Sequence, residues 1–263
     1  MLERIKKSPR INGWLRRLQG QSIQVCNVCG GTSYAQFYIG GTGEAQVLDQ
    51  KQVIPPRVRR NYGCIDCQVT DRERLFLLWF DQQKKQLFSG RLRLLHVAPE
   101  KHVRKWLQTL PDLDYVTVDL LQPDVDYNMD LTAMTFADDS FDAVICSHVL
   151  EHIPDDEKAM AEIRRVLKPD GWALLQVPIS FISASTIEDP DIDDPDLQTE
   201  RFGQYDHVRI YGRDYFDRLT RQGLTVSQYP TDTMFSAIEV DQHGLCAEEV
   251  LFVHFSTKQA SLL

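Results

Sequence analysis

From residue 92 onward, short β-branched runs alternate with segments of helical period. Residues 92–98, 115–120, 141–146, 172–178, 224–229 and 250–255 read as strands; 101–109, 156–167 and 213–222 read as helices, with Gly171 and Gly223 marking helix ends. Such alternation predicts a doubly wound α/β sheet. Ligands of these sheets gather beyond the carboxyl ends of the strands, where the winding direction reverses, so the loops after strands hold the candidate chemistry. The pattern before residue 90 is different. An apolar helical period runs over 72–88, preceded by irregular polar chain that breaks at Pro55-Pro56. This change of character divides the chain into an N-terminal region, 1–88, and a sheet domain, 89–263.

Length and composition narrow the classes without choosing among them. The 263 residues, 43% hydrophobic and 25% charged, can bury a core without disulfides. Lys and Arg number 29 against 38 Asp and Glu, a net charge of −9 that disfavours duplex DNA as a partner. Apolar runs such as 75–80 are far shorter than the roughly 18–20 residues that cross a bilayer, so no membrane span is expected. Residues 1–10 are charged and lack the apolar stretch of a secretory signal, which makes the cytoplasm the expected compartment.

Cysteine spacing adds a metal. Cys26-x-x-Cys29 and Cys64-x-x-Cys67 are matched pairs, and two such knuckles complete the four-thiolate shell of structural Zn²⁺. The result is a zinc-ribbon-like region. A closed shell has no open position for substrate, so this ion is expected to hold the region together. Four thiolates leave a charge of −2 on the site, which Arg57, Arg59, Arg60, Arg72 and Arg74 are placed in sequence to offset. The same basic residues would suit an acidic protein partner docking on the zinc region. Cys146 and Cys246 lie in apolar stretches and read as core.

Two carboxylates suit a nucleoside. Asp119 closes the second strand about 20 residues past the first turn, the place from which an acidic residue accepts hydrogen bonds from a ribose diol. Asp130 follows a short extended segment and precedes Leu131; its carboxylate suits an exocyclic amine, with Leu131 against the adenine face. No G-x-G-x-x-G follows the first strand, which disfavours a nicotinamide oxidoreductase. His148-Val149-Leu150-Glu151-His152 matches the H-x-x-E-H pattern of a zinc peptidase group, but those ligands need a sustained helix and Pro154 stops one.

Asp119, Asp130-Leu131, the stretch 140–153 and the stretch 163–171 together resemble the class I S-adenosylmethionine-dependent methyltransferases. With its cysteine pairs, the chain looks like a bacterial subgroup carrying an N-terminal CxxC…CxxC zinc-binding region. The resemblance implies a Rossmann-like sheet of seven strands whose last strand is antiparallel, with S-adenosylmethionine as cofactor. It also implies Asp119 at the ribose, Asp130 near adenine, and Ser147 and His148 walling the methionine end. The first turn departs from the family pattern. Where an acidic residue and Gly-x-Gly are usual, this chain has His96-Val97-Ala98-Pro99-Glu100, so Ala98 must supply clearance and Glu100 the contact to the amino group. The rival reading is a non-catalytic partner-binding protein on a degenerate methyltransferase fold.

Residues 186–196 form an acidic insertion after the fifth strand, where a lid over the ligand crevice is expected. Here and just beyond, Glu188, Arg201, Gln204, Asp206, His207 and Arg209 are the candidate acceptor-facing residues. His207 suits a general base for a hydroxyl acceptor, with Asp206 or Glu188 orienting it or acting instead. Arg201, Gln204 and Arg209 suit a polar or anionic acceptor, whose identity the sequence leaves open.

Overall fold

A computed structural model describes residues 24–38 and 46–255; the charged segment 1–10 and the Arg60 side chain lie outside what is described. Five strands form the parallel part of the main sheet: β4 (Leu92–Val97), β5 (Leu113–Asp119), β6 (Tyr127–Asn128), β7 (Phe141–Ser147) and, beside β7, β8 (Leu167–Gln176). Two further strands, β12 (Val226–Pro230) and β13 (Val250–Phe255), complete seven. The spatial order is β12-β13-β8-β7-β4-β5-β6, with β13 antiparallel to both neighbours. The expected seven-stranded sheet with its antiparallel last strand is therefore present.

Both faces of the central strands are covered, which is why their sequences are apolar runs without alternation. Leu94, Leu95, Ala143, Val144, Ile145, Ala173 and Leu174 are all fully buried. On one face the amphipathic helix α1 (Asp71–Gln82) sets Leu75, Phe76, Trp79 and Phe80 against Leu94, Ile145, Trp172 and Val253. Thr70 starts it with a capping box: its hydroxyl accepts from Glu73 N (3.2 Å), and the Glu73 carboxylate accepts from Thr70 N (2.9 Å). The opposite face is covered by α3 (Asp156–Val166) through Ala159, Met160 and Ile163, and by Tyr215 and Leu219 of α5 (Tyr215–Arg221). Between β4 and β5 runs α2 (Lys101–Leu107), and between β8 and α5 lies the insertion with α4 (Pro195–Phe202).

Local differences from the sequence reading have physical causes. The period over 72–88 is two pieces, α1 and a short turn Lys84–Leu87, because Gln83 leaves helical geometry. Strand β8 begins at Leu167, where the chain leaves α3 and pairs at once with Phe141. Gly171 therefore lies inside the strand instead of closing a helix. A Cβ there would stand 2.8 Å from the Asp142 carbonyl oxygen, so the position requires glycine. Gly223, with φ +79°, does follow a helix end.

The N-terminal region is sewn to the sheet. Its strands β1 (Tyr34–Tyr38) and β3 (Val58–Cys64) pair with each other, while β2 (Val53–Ile54) pairs with β9 (Ile179–Ser180) after β8. Arg74 of α1 is fully buried and donates to the carbonyls of Asn61 and Val69 on one side and of His243 and Gly244 on the other. Arg59 makes a buried ion pair with Asp71 at 2.9 Å. Two of the arginines read as counter-charges to zinc are thus also structural ties.

Glu249, just before β13, is buried, with one carboxylate oxygen accepting from Gln176 Nε2 (2.6 Å) and the other without a hydrogen-bond partner. Burial, aided by the Asp71 carboxylate, pushes its pKa up from 4.5 to about 7, against the pull of Arg59, Arg72 and Gln176. The folded state then keeps a proton that the unfolded chain has lost, so this group's stability contribution falls as pH rises from 4.5 toward 7. Glu249→Gln keeps an acceptor for Gln176 without the charge. Thermal melts should show its advantage over the wild type growing by several degrees between about pH 5 and about pH 8, at roughly 2–4 °C per kcal/mol. A constant difference across that range would contradict the assignment.

Candidate functional site

The chain winds from β4 to β5 to β6 in one direction, then returns to place β7 on the other side of β4. A crevice must open between the carboxyl ends of β4 and β7. Both strands end in a residue with a left-handed backbone, Ala98 (φ +48°) after β4 and His148 (φ +54°) after β7. For residues with a Cβ this conformation costs on the order of 1 kcal/mol or more, and such strain collects where backbone is shaped around a ligand.

Charged groups surround the mouth of the crevice. Glu100, N-cap of α2, accepts from His96 Nε2 at 2.9 Å, while His96 Nδ1 meets the Tyr115 hydroxyl at 2.8 Å. Arg72, in the first turn of α1, brings Nε to 3.8 Å from the other Glu100 oxygen. Burial would raise the Glu100 pKa, but the His96 hydrogen bond and the charges of His96 and Arg72 prevail and hold it at about 2. Across the gap, Ser147 is buried at the end of β7. His148 lies 3.2 Å from Glu151. Burial and the Arg72 charge push the His148 imidazole down to about 4, against Glu151, so it is neutral near pH 7. Burial would raise Glu151, but the His148 imidazole 3.2 Å away, with His152 and His207 near it, prevails and holds its pKa at about 2.

Several of these buried atoms at the crevice make no hydrogen bond: Arg72 Nε, Glu100 Oε1 and His148 Nε2; on the turn beyond, both oxygens of Glu151 are unpartnered as well. An unpaired buried polar atom costs about 1–3 kcal/mol, so a row of them around one crevice fits a polar ligand. An anion and a cation facing each other, Glu100 and Arg72, match the ammonium and carboxylate of an amino-acid tail. The sequence marks Arg72 only as a counter-charge to zinc; nothing in its local pattern places it over the end of β4.

Farther along the sheet edge, Asp119 closes β5, and its Oδ1 accepts from Leu121 N and Gln122 N, both at 2.7 Å. Asp130 is exposed and caps a one-turn helix, its Oδ1 accepting from Thr132 N at 2.8 Å. Leu131 belongs to the buried core on the α3 face. The apolar surface beside Asp119 comes instead from Leu120 and Leu121, 62% and 85% exposed, which the sequence reading passed over.

The insertion brings together only part of the expected acceptor set. In Glu188, which ends β10 (Ile187–Glu188), the carboxylate is held by Arg218 (2.5 Å) and Arg209 (3.1 Å), and these arginines lower its pKa. Arg209, in β11 (Arg209–Ile210), is 1% exposed and donates to the carbonyls of Leu150, Ile153 and Pro154, fixing the turn that carries Glu151 and His152. Arg201, 52% exposed, pairs with Asp189 at 2.7 Å. Gln204 donates to Asp206 (2.9 Å), whose carboxylate lies 3.3 Å from His152 Nδ1. His207 is buried against His152, with ring centroids 4.6 Å apart and planes at 87°. Burial lowers its pKa, helped by His152 and opposed by Glu151 and Asp206.

The four knuckle cysteines also meet. Sγ of Cys26 and Cys67 are 3.9 Å apart, those of Cys29 and Cys64 are 3.6 Å apart, and all four lie within 4.8 Å of one another. A tetrahedral shell with Zn–S bonds of about 2.3 Å has sulfurs about 3.8 Å apart, so the donor set fits that ion. Left-handed Gly30 (φ +76°) and Gln68 (φ +67°) turn the two knuckles, and Gly31 N donates to the Cys29 sulfur at 3.4 Å.

Fold and crevice together define a doubly wound α/β protein with a polar crevice at its switch point. Comparison narrows the class: residues 96–175 match the family model described as a methyltransferase domain. The chain is 49% identical over 51 residues to the demethylmenaquinone methyltransferase of Renibacterium salmoninarum, covering 19% of this chain and 22% of that one. It is 36% identical over 77 residues to an uncharacterised methyltransferase of Bacillus subtilis, covering 29% and 28%. The chain thus spans about a quarter of the length of these curated relatives. Among solved structures, an S-adenosylmethionine-dependent methyltransferase of Mesorhizobium loti is 15% identical over 69% of this chain and 97% of that one, with a TM-score of 0.48. Residues 96–175, less than a third of the chain, are thus similar to a methyltransferase domain. Among the described residues no helix is long and apolar enough to cross a membrane.

Proposed function

We propose that the chain transfers a methyl group from S-adenosylmethionine to a small or polar acceptor, and that a Zn²⁺ on Cys26, Cys29, Cys64 and Cys67 braces the wall of the cofactor site. The observation that carries the reading is the set of unpartnered buried polar atoms at the switch point, Arg72 Nε, Glu100 Oε1 and His148 Nε2, with Arg72 and Glu100 paired at 3.8 Å. When bound, the cofactor supplies an electrophilic methyl group on a sulfonium, open to in-line displacement. Glu100 would hold the ammonium and Arg72 the carboxylate of its tail. Asp119 would accept from the ribose hydroxyls, Leu120 and Leu121 would cover one face of the base, and Asp130 would meet its amine. Ala98 keeps the bend after β4 narrow enough for the tail to pass. Ser147 and His148 would close the methionine end and exclude water, so that positioning carries most of the rate.

A hydroxyl acceptor must also lose a proton. His207, kept neutral near pH 7 by burial, is a base of suitable strength on that wall. Asp206 orients the His152 ring, and Glu188 serves the arginines beneath the turn. Arg201 and Gln204 stand at the outer edge of the insertion, where a polar acceptor would enter. Four thiolates persist in a reducing compartment, in keeping with the cytoplasm; a protein partner at the zinc region would meet it elsewhere than at Arg57, Arg59, Arg72 and Arg74, whose side chains are largely buried. Asp119→Ala removes a charged acceptor and should weaken S-adenosylhomocysteine binding roughly 10- to 100-fold by calorimetry. Unchanged affinity would remove Asp119 from the site.

A further inference from the structure

Glu151 and His152 form, with His207, a cluster of which the methyl-transfer reading uses only the His207 base. Glu151 and His152 sit on a single turn of 3-10 helix, Leu150–His152, three residues beyond the end of β7; His207 comes from the insertion between α4 and β11. One ligand-type atom from each lies within 4.8 Å of the others. Glu151 is completely buried, yet neither carboxylate oxygen makes a hydrogen bond; His148 approaches Oε1 at 3.2 Å without the geometry of one. A buried carboxylate in this state requires a cation or a donor.

The surroundings are built to hold these groups in place. Arg209 clamps the carbonyls of Leu150, Ile153 and Pro154 around the turn, and the Glu151 carbonyl accepts from Val208 N at 3.0 Å, which ties the turn to the residue after His207. The His152 Nδ1 faces the Asp206 carbonyl (3.2 Å) and carboxylate (3.3 Å), which fixes the proton on Nδ1 and leaves Nε2 to ligate. Two imidazoles and one carboxylate make a ligand set for a divalent transition cation that retains open coordination positions. The Cys₄ shell, by contrast, is closed.

We infer that Glu151, His152 and His207 bind a second, divalent cation beside the cofactor crevice, and that this cation ligates a hydroxyl or phenolic oxygen of the methyl acceptor. The inference deepens the proposed function and rests on it for the role of the ion, though not for its binding. In the reaction the acceptor O–H loses its proton to solvent, its oxygen forms a bond to the methyl carbon, and the carbon–sulfur bond breaks. The sulfonium leaves as neutral S-adenosylhomocysteine, and the methyl ether is the second product. Ligation lowers the hydroxyl pKa, so His207 acts here as a ligand and metal coordination takes the place of the side-chain base. The acceptor class is then an oxygen nucleophile, preferably one with a second oxygen able to occupy a neighbouring open position.

The test uses the full chain loaded with zinc at its cysteines and titrated with Co²⁺ or Mn²⁺, without cofactor. Visible absorption for Co²⁺ and electron paramagnetic resonance for Mn²⁺ report binding, and S-adenosylhomocysteine titration of the same samples reports the cofactor site separately. We expect about one additional ion per chain, with Co²⁺ bands free of sulfur charge transfer. Glu151→Gln and His207→Gln should each weaken it at least about tenfold, within the 10–100-fold usual for a perturbed metal site, and both should still bind S-adenosylhomocysteine. No additional ion in the wild type, or an unchanged affinity in both variants, would overturn the second site. If S-adenosylhomocysteine fails to bind while the ion does, the methyltransferase reading fails and the metal site stands.

Discussion

Replacing Cys26 and Cys64 together by serine should remove the metal and melt the protein at much lower temperature. Elemental analysis is expected to fall from about one zinc per chain in the cysteine shell to none, because each knuckle loses a thiolate. The thermal loss should exceed about 10 °C, since a structural zinc site contributes many kcal/mol and about 1 kcal/mol is worth roughly 2–4 °C here. The damage should not stay local. Cys64 N donates to Val69 O, Val69 O also accepts from Arg74, and the next residue, Thr70, caps α1. Arg72 lies one step further into that helix. The double variant should therefore also bind S-adenosylhomocysteine more weakly. Zinc retained at full stoichiometry would place the ion elsewhere.

The second large effect concerns Glu100. Its carboxylate is the acceptor for His96 and faces Arg72, and it is ionised at neutral pH. Glu100→Gln keeps the shape and deletes the charge, so the ammonium of the cofactor tail loses a charge-assisted partner while Arg72 loses the anion opposite it. A loss of about 3 kcal/mol, on the order of 100-fold in affinity, is expected by calorimetry. The predicted direction with pH is also specific. Glu100 stays charged down to about 2, so cofactor affinity should hold through mildly acidic conditions and not titrate near 4.5. Wild-type affinity in the variant would show that Glu100 is not the ammonium partner.

Much of the sheet was legible because central strands must be apolar on both faces and helices must end in recognisable ways. Residues 141–146 and 250–255 gave strands within a residue of where they lie, and Gly223 ended its helix as expected. Gly171 misled because a glycine needed for close approach to the Asp142 carbonyl has the same one-letter signature as one needed at a helix end. The cysteine quartet was visible in spacing alone, and the sulfurs meet. Single residues around the crevice were harder. Leu131 resembles an adenine-facing residue in sequence order but is spent on the core, while Leu120 and Leu121 stand exposed beside Asp119. Arg72 and Glu151 depend on long-range packing, of α1 over the sheet and of the insertion over the turn after β7, and no local pattern encodes that. The H-x-x-E-H stretch was rightly set apart from a peptidase helix, for it forms a short 3-10 turn; its second acid–histidine pair nonetheless meets His207 across 55 residues of sequence.

One titration bears on the central claim: S-adenosylhomocysteine added to the zinc-loaded, folded wild-type chain in a calorimeter. A crevice with Ala98 and Pro99 at its bend, Glu100 and Arg72 at its mouth and Asp119 at its edge predicts saturable binding at about one site per chain. A folded protein that gives no saturable signal would mean that the bend excludes the cofactor, and the account of this site would be wrong.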